Sequence, residues 1–461
     1  MQKICFHFQI SQPFRLRTYR FFDINVHHDY FDDFQNSYLV NRLAERCYLP
    51  ANQLMLDLIK EYPGRIAVSY SIAGSSIKLF QEYCPEVIES FKKLLATGCV
   101  EITGNTFTHS IACLHDKSTF VEQVRLQEQL LKEVFGIKPT TFCNTELIYS
   151  DEIGEWLFDL GYKTVFTEGA KHILAWKAPG YLYCNPFQTD LKLVLRNYAL
   201  CDDISLRFDD HSWDQYPLTA EKFLGFMQAV PKNVPHINFG FDYETIGEYY
   251  TKETGIFDFF RSLFSHFAQS KDYQMVMLKS VGDSDEKVTT LNIPWAISCA
   301  GEEKDTVEWL GNELQQEAFD QLFKLESLYL ESKNETAKLN WLRLQAADHF
   351  NFMSTKWLSK MSVKRNFEVY PSDADSVYEV RIKGKGANNE EQLQSIIDTI
   401  RSEYLTRLRS SKKVVVTLCS SSNPAAYIDM IADFLNDMNI VWQTRTLHTL
   451  ECFEISIVTN N

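Results

Sequence analysis

Thr141-Phe-Cys-Asn-Thr-Glu146-Leu-Ile-Tyr-Ser150 opens as a short apolar strand and turns within a few residues into a polar loop that carries a carboxylate. A helical pattern resumes near Asp151. A strand that ends on an acid and hands over to a helix is the repeating unit of a β/α barrel, whose active sites gather at the C-terminal ends of the strands. Taken alone, Glu146 reads first as a solvated loop residue, with Asn144 and Thr145 capping a turn. The same change from apolar to acidic recurs at Ile237-Asn-Phe-Gly-Phe-Asp242-Tyr-Glu244-Thr-Ile-Gly247-Glu248. Asp242 and Glu244 stand two apart, so an extended backbone puts them on one face. Close like charges are costly there unless one is protonated or something is bound.

Outward from these stretches, short β-rich runs alternate with helical patterns from residue 1 to about 273, the rhythm of βα units around a mostly parallel sheet. The strand candidates are 4–8, 66–71, 99–103, 140–144, 163–167, 191–195 and 236–241. Residues 118–135 form an amphipathic helix, with Phe120, Val121, Val124, Leu131, Val134 and Phe135 at steps of three, four and seven and only polar Gln127 and Glu128 interrupting the stripe. Seven strands over this length predict a closed or nearly closed barrel, although a doubly wound open sheet has the same pattern. Past residue 300 the texture turns helical, at 305–332 and 336–360. The run 383–389 has linker composition, and the tail predicts a helix at 391–409, a strand at 413–418, a helix at 424–438 and two extended stretches. The expected division is a catalytic barrel at 1–275, a helical region at 276–370 and a small α/β appendage at 371–461.

Composition narrows the chemistry. The chain has 461 residues, with 46 Lys and Arg against 61 Asp and Glu, and the net charge of -15 argues against nucleic acid, whose binding rests on basic patches. Eleven scattered cysteines without a CxxC pair fit reduced thiols and a cytoplasmic setting. No run approaches the roughly 18 apolar residues of a membrane span, and the first residues turn polar at Gln9 before a signal-peptide core can form. Neither GxGxxG nor GxxxxGK[ST] is present, so nucleotide binding has no support.

Two carboxyls from different strands, meeting in one cleft, are the minimum equipment of a glycosidase. Four further segments join the two acidic ones: Phe8-Gln-Ile-Ser-Gln12-Pro13-Phe-Arg-Leu-Arg17, Gly98-Cys-Val-Glu101-Ile-Thr-Gly104-Asn, Leu200-Cys-Asp-Asp203-Ile, and Trp341-Leu-Arg-Leu-Gln345-Ala-Ala-Asp348-His349-Phe350. In order and spacing these six resemble glycoside hydrolase family 57, the α-amylase-like group, over roughly residues 1–370. The resemblance implies an α/β fold, an incomplete (β/α)7 TIM-like barrel followed by helices that close one side of the cleft. It further implies a retaining mechanism on α-glucan oligo- or polysaccharides, with no metal or other cofactor. Glu146 matches the nucleophile and Asp242 the general acid/base. Glu101, Glu244 and Asp348 match positions lining the substrate subsites, and Gln12, Asp203 and His349 lie in the same motifs as substrate-binding candidates. Trp213 and Tyr243 are expected as stacking platforms for sugar rings.

Three positions depart from the family pattern. The first motif usually reads His-Gln-Pro, whereas Ser11 stands before Gln12 and Pro13 here. His7 is about 13 Å back along the strand at roughly 3.3 Å per residue and replaces it poorly. Close relatives carry Arg where Cys143 stands and His where Tyr249 stands. Loss of a cation beside Glu146 raises its pKa and weakens it as a nucleophile, so a catalytically weakened α-glucan-binding homologue is the first alternative. The other view of Cys143 is that it simply packs as a small apolar residue. A metal-dependent polysaccharide deacetylase is the second alternative. His109 and His115 are six apart, about 240° around a helix at roughly 3.6 residues per turn, and would not share a face. The groups His27-His28-Asp29 with Asp32-Asp33, and Asp209-Asp210-His211, read as solvated loops.

Overall fold

The computed structural model describes residues 1–354 apart from 20–22, 25 and 285, together with four strands beyond them. The chain divides into two compact units, Met1–Phe367 and Glu368–Asn461. In the first, ten strands are described: β1 (Gln2–Ile10), β2 (Val68–Ile72), β3 (Val100–Ile102), β4 (Thr141–Cys143), β5 (Thr164–Glu168), β6 (Tyr183–Cys184), β7 (Lys192–Arg196), β8 (His236–Asp242), β9 (Tyr273–Met275) and β10 (Thr289–Thr290). All seven expected strands are present, within a residue or two at each end for most of them.

Seven of these strands are parallel and run in the order β8-β1-β2-β3 in one sheet and β4-β5-β7 in another, with short β6 antiparallel on β7. The two sheets meet twice, and neither seam is a full ladder. At β3/β4 a single bridge joins Gly104 to Phe142, with Gly104 N donating to Thr141 O at 2.8 Å and Cys143 N to Gly104 O at 2.9 Å. A Cβ at Gly104 would run into the Tyr162 ring, so only glycine permits this approach. At β7/β8 the link is Asn197 N to Asn238 O at 2.9 Å, backed by side chains: Asn238 Nδ2 donates to Leu195 O and Arg196 Nε to Gly240 O, each at 2.9 Å. The result is an incomplete (β/α)7 barrel.

Strand alternation sorts the side chains. Along β1, Ile4, Phe6, Phe8 and Ile10 face the surrounding helices and join one large core cluster with Phe239 and Phe241 of β8. Phe6 lies 4.6 Å from both the Phe239 and Phe264 rings, and burying each such ring stabilises by about 1.5–3 kcal/mol. The alternate residues Cys5, His7 and Gln9 point into the barrel, where Cys5, Cys143, Phe166, Val194, Leu278 and Val281 form a small apolar plug. A second large core lies under β4, β5 and β7 and reaches Trp309, Phe319 and Trp341 of the later helices.

The expected amphipathic helix is observed at Lys117–Phe135, capped by Asp116 at its start and closed by Gly136 at φ 71°. Of its two polar interruptions Gln127 is fully buried and Glu128 half-buried, and a further polar residue, Gln123, is fully buried as well. Gln127 Nε2 donates to Ile72 O at the end of β2, and Gln123 Oε1 accepts from Thr108 N at 3.0 Å. The helical stretch 305–332 is broken into Val307–Leu310, Glu313–Lys324 and Glu326–Glu331. The break at Gly311-Asn312 follows from a capping box in which Asn312 and Gln315 satisfy each other's backbone. The next stretch is likewise split into Glu335–Leu344 and Ala347–Asn351, because Ala346 leaves the helix to pair with Ser110; the part expected at 355–360 lies outside the described residues.

The second unit contains β11 (Tyr378–Lys383), β12 (Lys413–Cys419), β13 (Val441–Leu447) and β14 (Cys452–Val458) in the order β11-β12-β14-β13. The expected strand is β12 and the two extended stretches are β13 and β14; β11 was not foreseen. The helices expected at 391–409 and 424–438, and the linker at 384–389, lie outside the described residues.

Candidate active site

Beyond β4 the chain enters a one-turn 3-10 segment, Thr145–Leu147, with Glu146 at φ 49° and Leu147 at φ 55°. Two successive non-glycine residues in the left-handed region cost of order 1–3 kcal/mol each, so surrounding bonds must hold them. Asn144 Nδ2 donates to Ile148 O, Thr167 Oγ1 to Leu147 O and Cys299 N to Glu146 O, each at 2.9 Å. The Glu146 side chain is 20% exposed, which leaves its carboxylate open to a substrate. Its Oε1 lies 3.4 Å from His109 Nε2 and its Oε2 3.5 Å from Cys299 Sγ, whose thiol donates.

Asp242 is the last residue of β8, directly opposite Gln9 of β1 in the strand register. Gln9 Nε2 is in turn 3.2 Å from His109 Nε2. Gln9 and His109 therefore connect the tip of β8 to the turn after β4, across a barrel whose strands are far apart in sequence. Burial by itself lowers the His109 pKa, but the hydrogen bond and charge of Glu146, with the charges of Asp348 and Asp242, hold it above its ordinary value. Tyr249 responds to the same group: burial pushes its hydroxyl well up, and Asp242, Glu244, Glu146 and Asp348 all add to the shift. Four of the expected site carboxylates thus act on one phenol and three of them on one imidazole.

Glu244 does not share a strand face with Asp242, because β8 stops at Asp242 and Tyr243–Thr245 is a 3-10 turn. Its carboxylate is buried instead, with Oε1 accepting from Gln12 Nε2 at 2.9 Å and from the Tyr48 hydroxyl. Gln12 is itself held by Arg15. Burial raises Glu244 to about 7; the Asp242 charge adds to this while the Tyr48 and Gln12 hydrogen bonds oppose it. Asp348 is pushed up by burial and drawn down by His109 and Arg15. His349, 7% exposed, is driven by burial to about 4 and is neutral at physiological pH.

Other candidates lie apart. Asp203 pairs with Arg207, and the Arg207 guanidinium is 5.7 Å from the Trp213 ring, so these three form their own group after β7. Glu101 faces the barrel interior, 8% exposed, accepting from Ser69 Oγ at 2.9 Å and Lys279 N at 3.1 Å. Tyr243 must be corrected. The expected sugar platform has no exposed surface, its hydroxyl donates to Asn52 Oδ1 at 2.8 Å, and its ring packs 5.0 Å from Phe8, so it is a core residue. One position beyond the last inward side chain of β8, it faces the helices.

The departures have structural counterparts. The Ser11 hydroxyl is buried and makes no hydrogen bond among the described residues. Cys143 packs in the apolar plug, 1% exposed, with its thiol pushed up by burial and 3.8 Å from His7 Nδ1. His7 is lowered to about 3 by burial and is a neutral interior residue. His109 and His115 are not on a common helix: His109 joins Glu146, whereas His115 pairs with Asp116 at 3.3 Å and Glu326 at 3.5 Å near the surface.

Sequence reasoning missed His109, Tyr48, Arg15 and Cys299 as contacts of the acidic group. Of these only His109 carried a signal, a histidine in a polar loop after a strand end. A buried network was also missed: Arg196 Nη1 pairs with Glu168 Oε2 at 2.9 Å and Nη2 with Asp202 Oδ1 at 3.0 Å. Lys304 stands 4.0 Å from Glu168 Oε2 and 3.8 Å from Asp202 Oδ2, and donates to Cys299 O at 3.0 Å. The network fixes the segment that brings Cys299 to Glu146.

Known proteins resemble this chain in sequence and in fold. Residues 5–294 match the family described as glycosyl hydrolase family 57. A relative from Methanocaldococcus jannaschii that carries the provisional name alpha-amylase is 38% identical over 393 residues, covering 81% of this chain and 82% of its own. Among solved structures, the family 57 branching enzyme of Thermococcus kodakaraensis superposes with a TM-score of 0.59 at 10% identity, covering 94% of each chain. The alpha-amylase of Thermotoga maritima gives 0.55 at 15% identity, covering 79% of this chain and 90% of the other. At such identities the structural likeness speaks for the fold, and the sequence matches speak for the family: this chain belongs to glycosyl hydrolase family 57, a family of glycoside hydrolases.

Proposed function

We propose that this protein cleaves or transfers α-1,4-linked glucose chains by a retaining double displacement, with Glu146 as nucleophile and Asp242 as general acid/base. Glu146 attacks the anomeric carbon while Asp242 protonates the departing glycosidic oxygen, giving a glycosyl ester on Glu146. Asp242, now ionised, then takes a proton from water or from an incoming sugar hydroxyl, which displaces the ester. Water gives hydrolysis and a sugar gives transfer. The observation that carries the proposal is the contact path from Glu146 through His109 to Gln9, the residue opposite Asp242, at one end of the barrel. The names of the relatives, an amylase and a branching enzyme, support an α-glucan as substrate, and glycogen or maltodextrin turnover in the cytoplasm is the natural setting.

Gln12, Glu244, Asp348 and His349 surround these carboxylates as substrate-binding positions, and Asp203 with Trp213 would serve a more distant subsite. Glu101, buried in the barrel interior, would act through Ser69 and the backbone at Lys279. The test is product analysis on maltoheptaose and soluble starch. Glu146→Gln and Asp242→Asn should each lower turnover by roughly 10²-fold or more, on the scale expected for a positioned proton donor. Wild-type turnover in either variant would remove that residue from the chemistry. Binding of maltoheptaose by wild type without any turnover would instead support the weakened homologue, which the unpartnered Ser11 hydroxyl favours.

A further inference from the structure

The loop after β3 reverses at His109, which has φ 54°, a left-handed conformation uncommon outside glycine that histidine, like asparagine and aspartate, adopts more readily than most residues. Three elements hold it there. Ser110 N donates to Thr106 Oγ1 at 2.8 Å, and Thr106 is bonded in turn to Thr145, the residue before Glu146. The buried helix residue Gln123 accepts from Thr108 N and donates to Gln345 Oε1 at 2.8 Å. From the helical region, Ala347 N donates to His109 O at 2.9 Å and Ile111 N to Gln345 O at 3.3 Å. The outcome of all this bracing is one ring, 3% exposed, with Nε2 aimed at Glu146 Oε1.

Nε2 also lies within reach of the Gln9 side-chain amide, and one ring nitrogen cannot both accept from that amide and donate to Glu146. When Nε2 carries a proton, it donates to Glu146, and Gln9 must turn its carbonyl oxygen toward the ring. The charges that act most strongly on the ring are acidic: Glu146 from the turn after β4, Asp348 from the helical region and Asp242 from the end of β8. Ser11 offers a hydroxyl in place of an imidazole, and Cys143 is a neutral thiol.

We propose that His109 is the positioning residue of the nucleophile, an imidazolium that holds Glu146 Oε1 and leaves Oε2, which faces the weaker thiol donor of Cys299, as the oxygen that attacks the sugar. This rests on the assignment of Glu146 as nucleophile. In the first step the bond from Oε2 to the anomeric carbon forms and the glycosidic bond breaks. The leaving oxygen takes its proton from Asp242, and His109 keeps its own proton throughout. Oε1 becomes the carbonyl oxygen of the glycosyl ester and retains the hydrogen bond.

The deciding measurement is the pH profile of kcat/KM on maltoheptaose for wild type and His109→Asn, asparagine being chosen because it accepts the left-handed backbone. Without the cation, Glu146 is harder to ionise, so the acid limb should move up by roughly one pH unit or more, with a lower plateau. A plateau loss with an unmoved acid limb would overturn the proposal. His109→Gln, a longer neutral donor, should recover part of the plateau but not the acid limb. Titration of the His109 ring by NMR gives a reading independent of turnover and of any loss of folding in the variants. In wild type it should protonate above its ordinary value near 6.5, and in Glu146→Gln below it, since burial then dominates. An unchanged His109 titration in Glu146→Gln would also overturn it. Failure of the nucleophile assignment is separate: Glu146→Gln would then turn over substrate as wild type does, whatever His109 does.

Discussion

Glu244 combines a buried carboxylate, two hydrogen-bond donors and a neighbouring acid, and its ionisation near 7 makes a stability prediction with a definite sign. Between about 4.5 and 7 the unfolded chain has lost this proton while the folded chain still binds it, so stability falls as pH rises. The contribution is fully present below 4.5, is lost through that window and changes no further above it. Relative to Glu244→Gln, the wild-type unfolding free energy should therefore drop by about 3 kcal/mol from pH 4.5 to pH 7. Urea unfolding at several pH values measures the difference, and a constant offset between the two proteins would contradict the buried acid. Gln123 makes a second prediction at this scale. Gln123→Leu leaves Thr108 N and Gln345 Oε1 short of a partner, which should cost about 1–3 kcal/mol and also lower turnover by loosening the His109 loop. Stability loss with turnover fully retained would show that the brace does not reach His109.

At the level of elements, the strands were legible because each alternates or runs apolar over three to nine residues and ends at polar or glycine residues. Closure was not. A barrel and an open sheet differ here by one bridge at Gly104 and by Asn197 and Asn238 at the other seam, contacts between strands that composition does not pair. Tyr243 was misread for a related reason. The strand stops at Asp242, and the next side chain falls on the helix side, where Phe8, Tyr70 and Asn52 enclose it. The network at the ends of β5 and β7 makes the prediction for this scale. Arg196→Met removes both direct partners' cation and strands Glu168 in the interior, so it should destabilise by about 3–5 kcal/mol, while Lys304→Met should cost less because Arg196 still neutralises Glu168. Thermal and urea unfolding of the two variants rank them; the opposite order would reassign the main partner.

For the whole molecule, every proposed site residue belongs to the unit Met1–Phe367. A chain ending at Phe367 should fold cooperatively and release reducing ends from maltoheptaose at a rate within about threefold of the full chain. Loss of turnover with folding intact, read by circular dichroism and product analysis together, would assign Glu368–Asn461 a part in catalysis. Among the described residues no helix is long and apolar enough to cross a membrane, and the nine cysteines from Cys5 to Cys299 are free thiols.

The amino-acid sequence alone determined the order of strands and helices in the barrel and the acids that close two of the strands, because hydrophobic alternation and the end of a strand are local properties. It also carried enough motif order to indicate the family. Which imidazole meets Glu146 was decided only by the tertiary structure. Gln9 and His109 are 100 residues apart, and His109 and Glu146 a further 37, so their meeting depends on a nearly closed barrel and on a helix and a helical region that hold one loop in a left-handed turn.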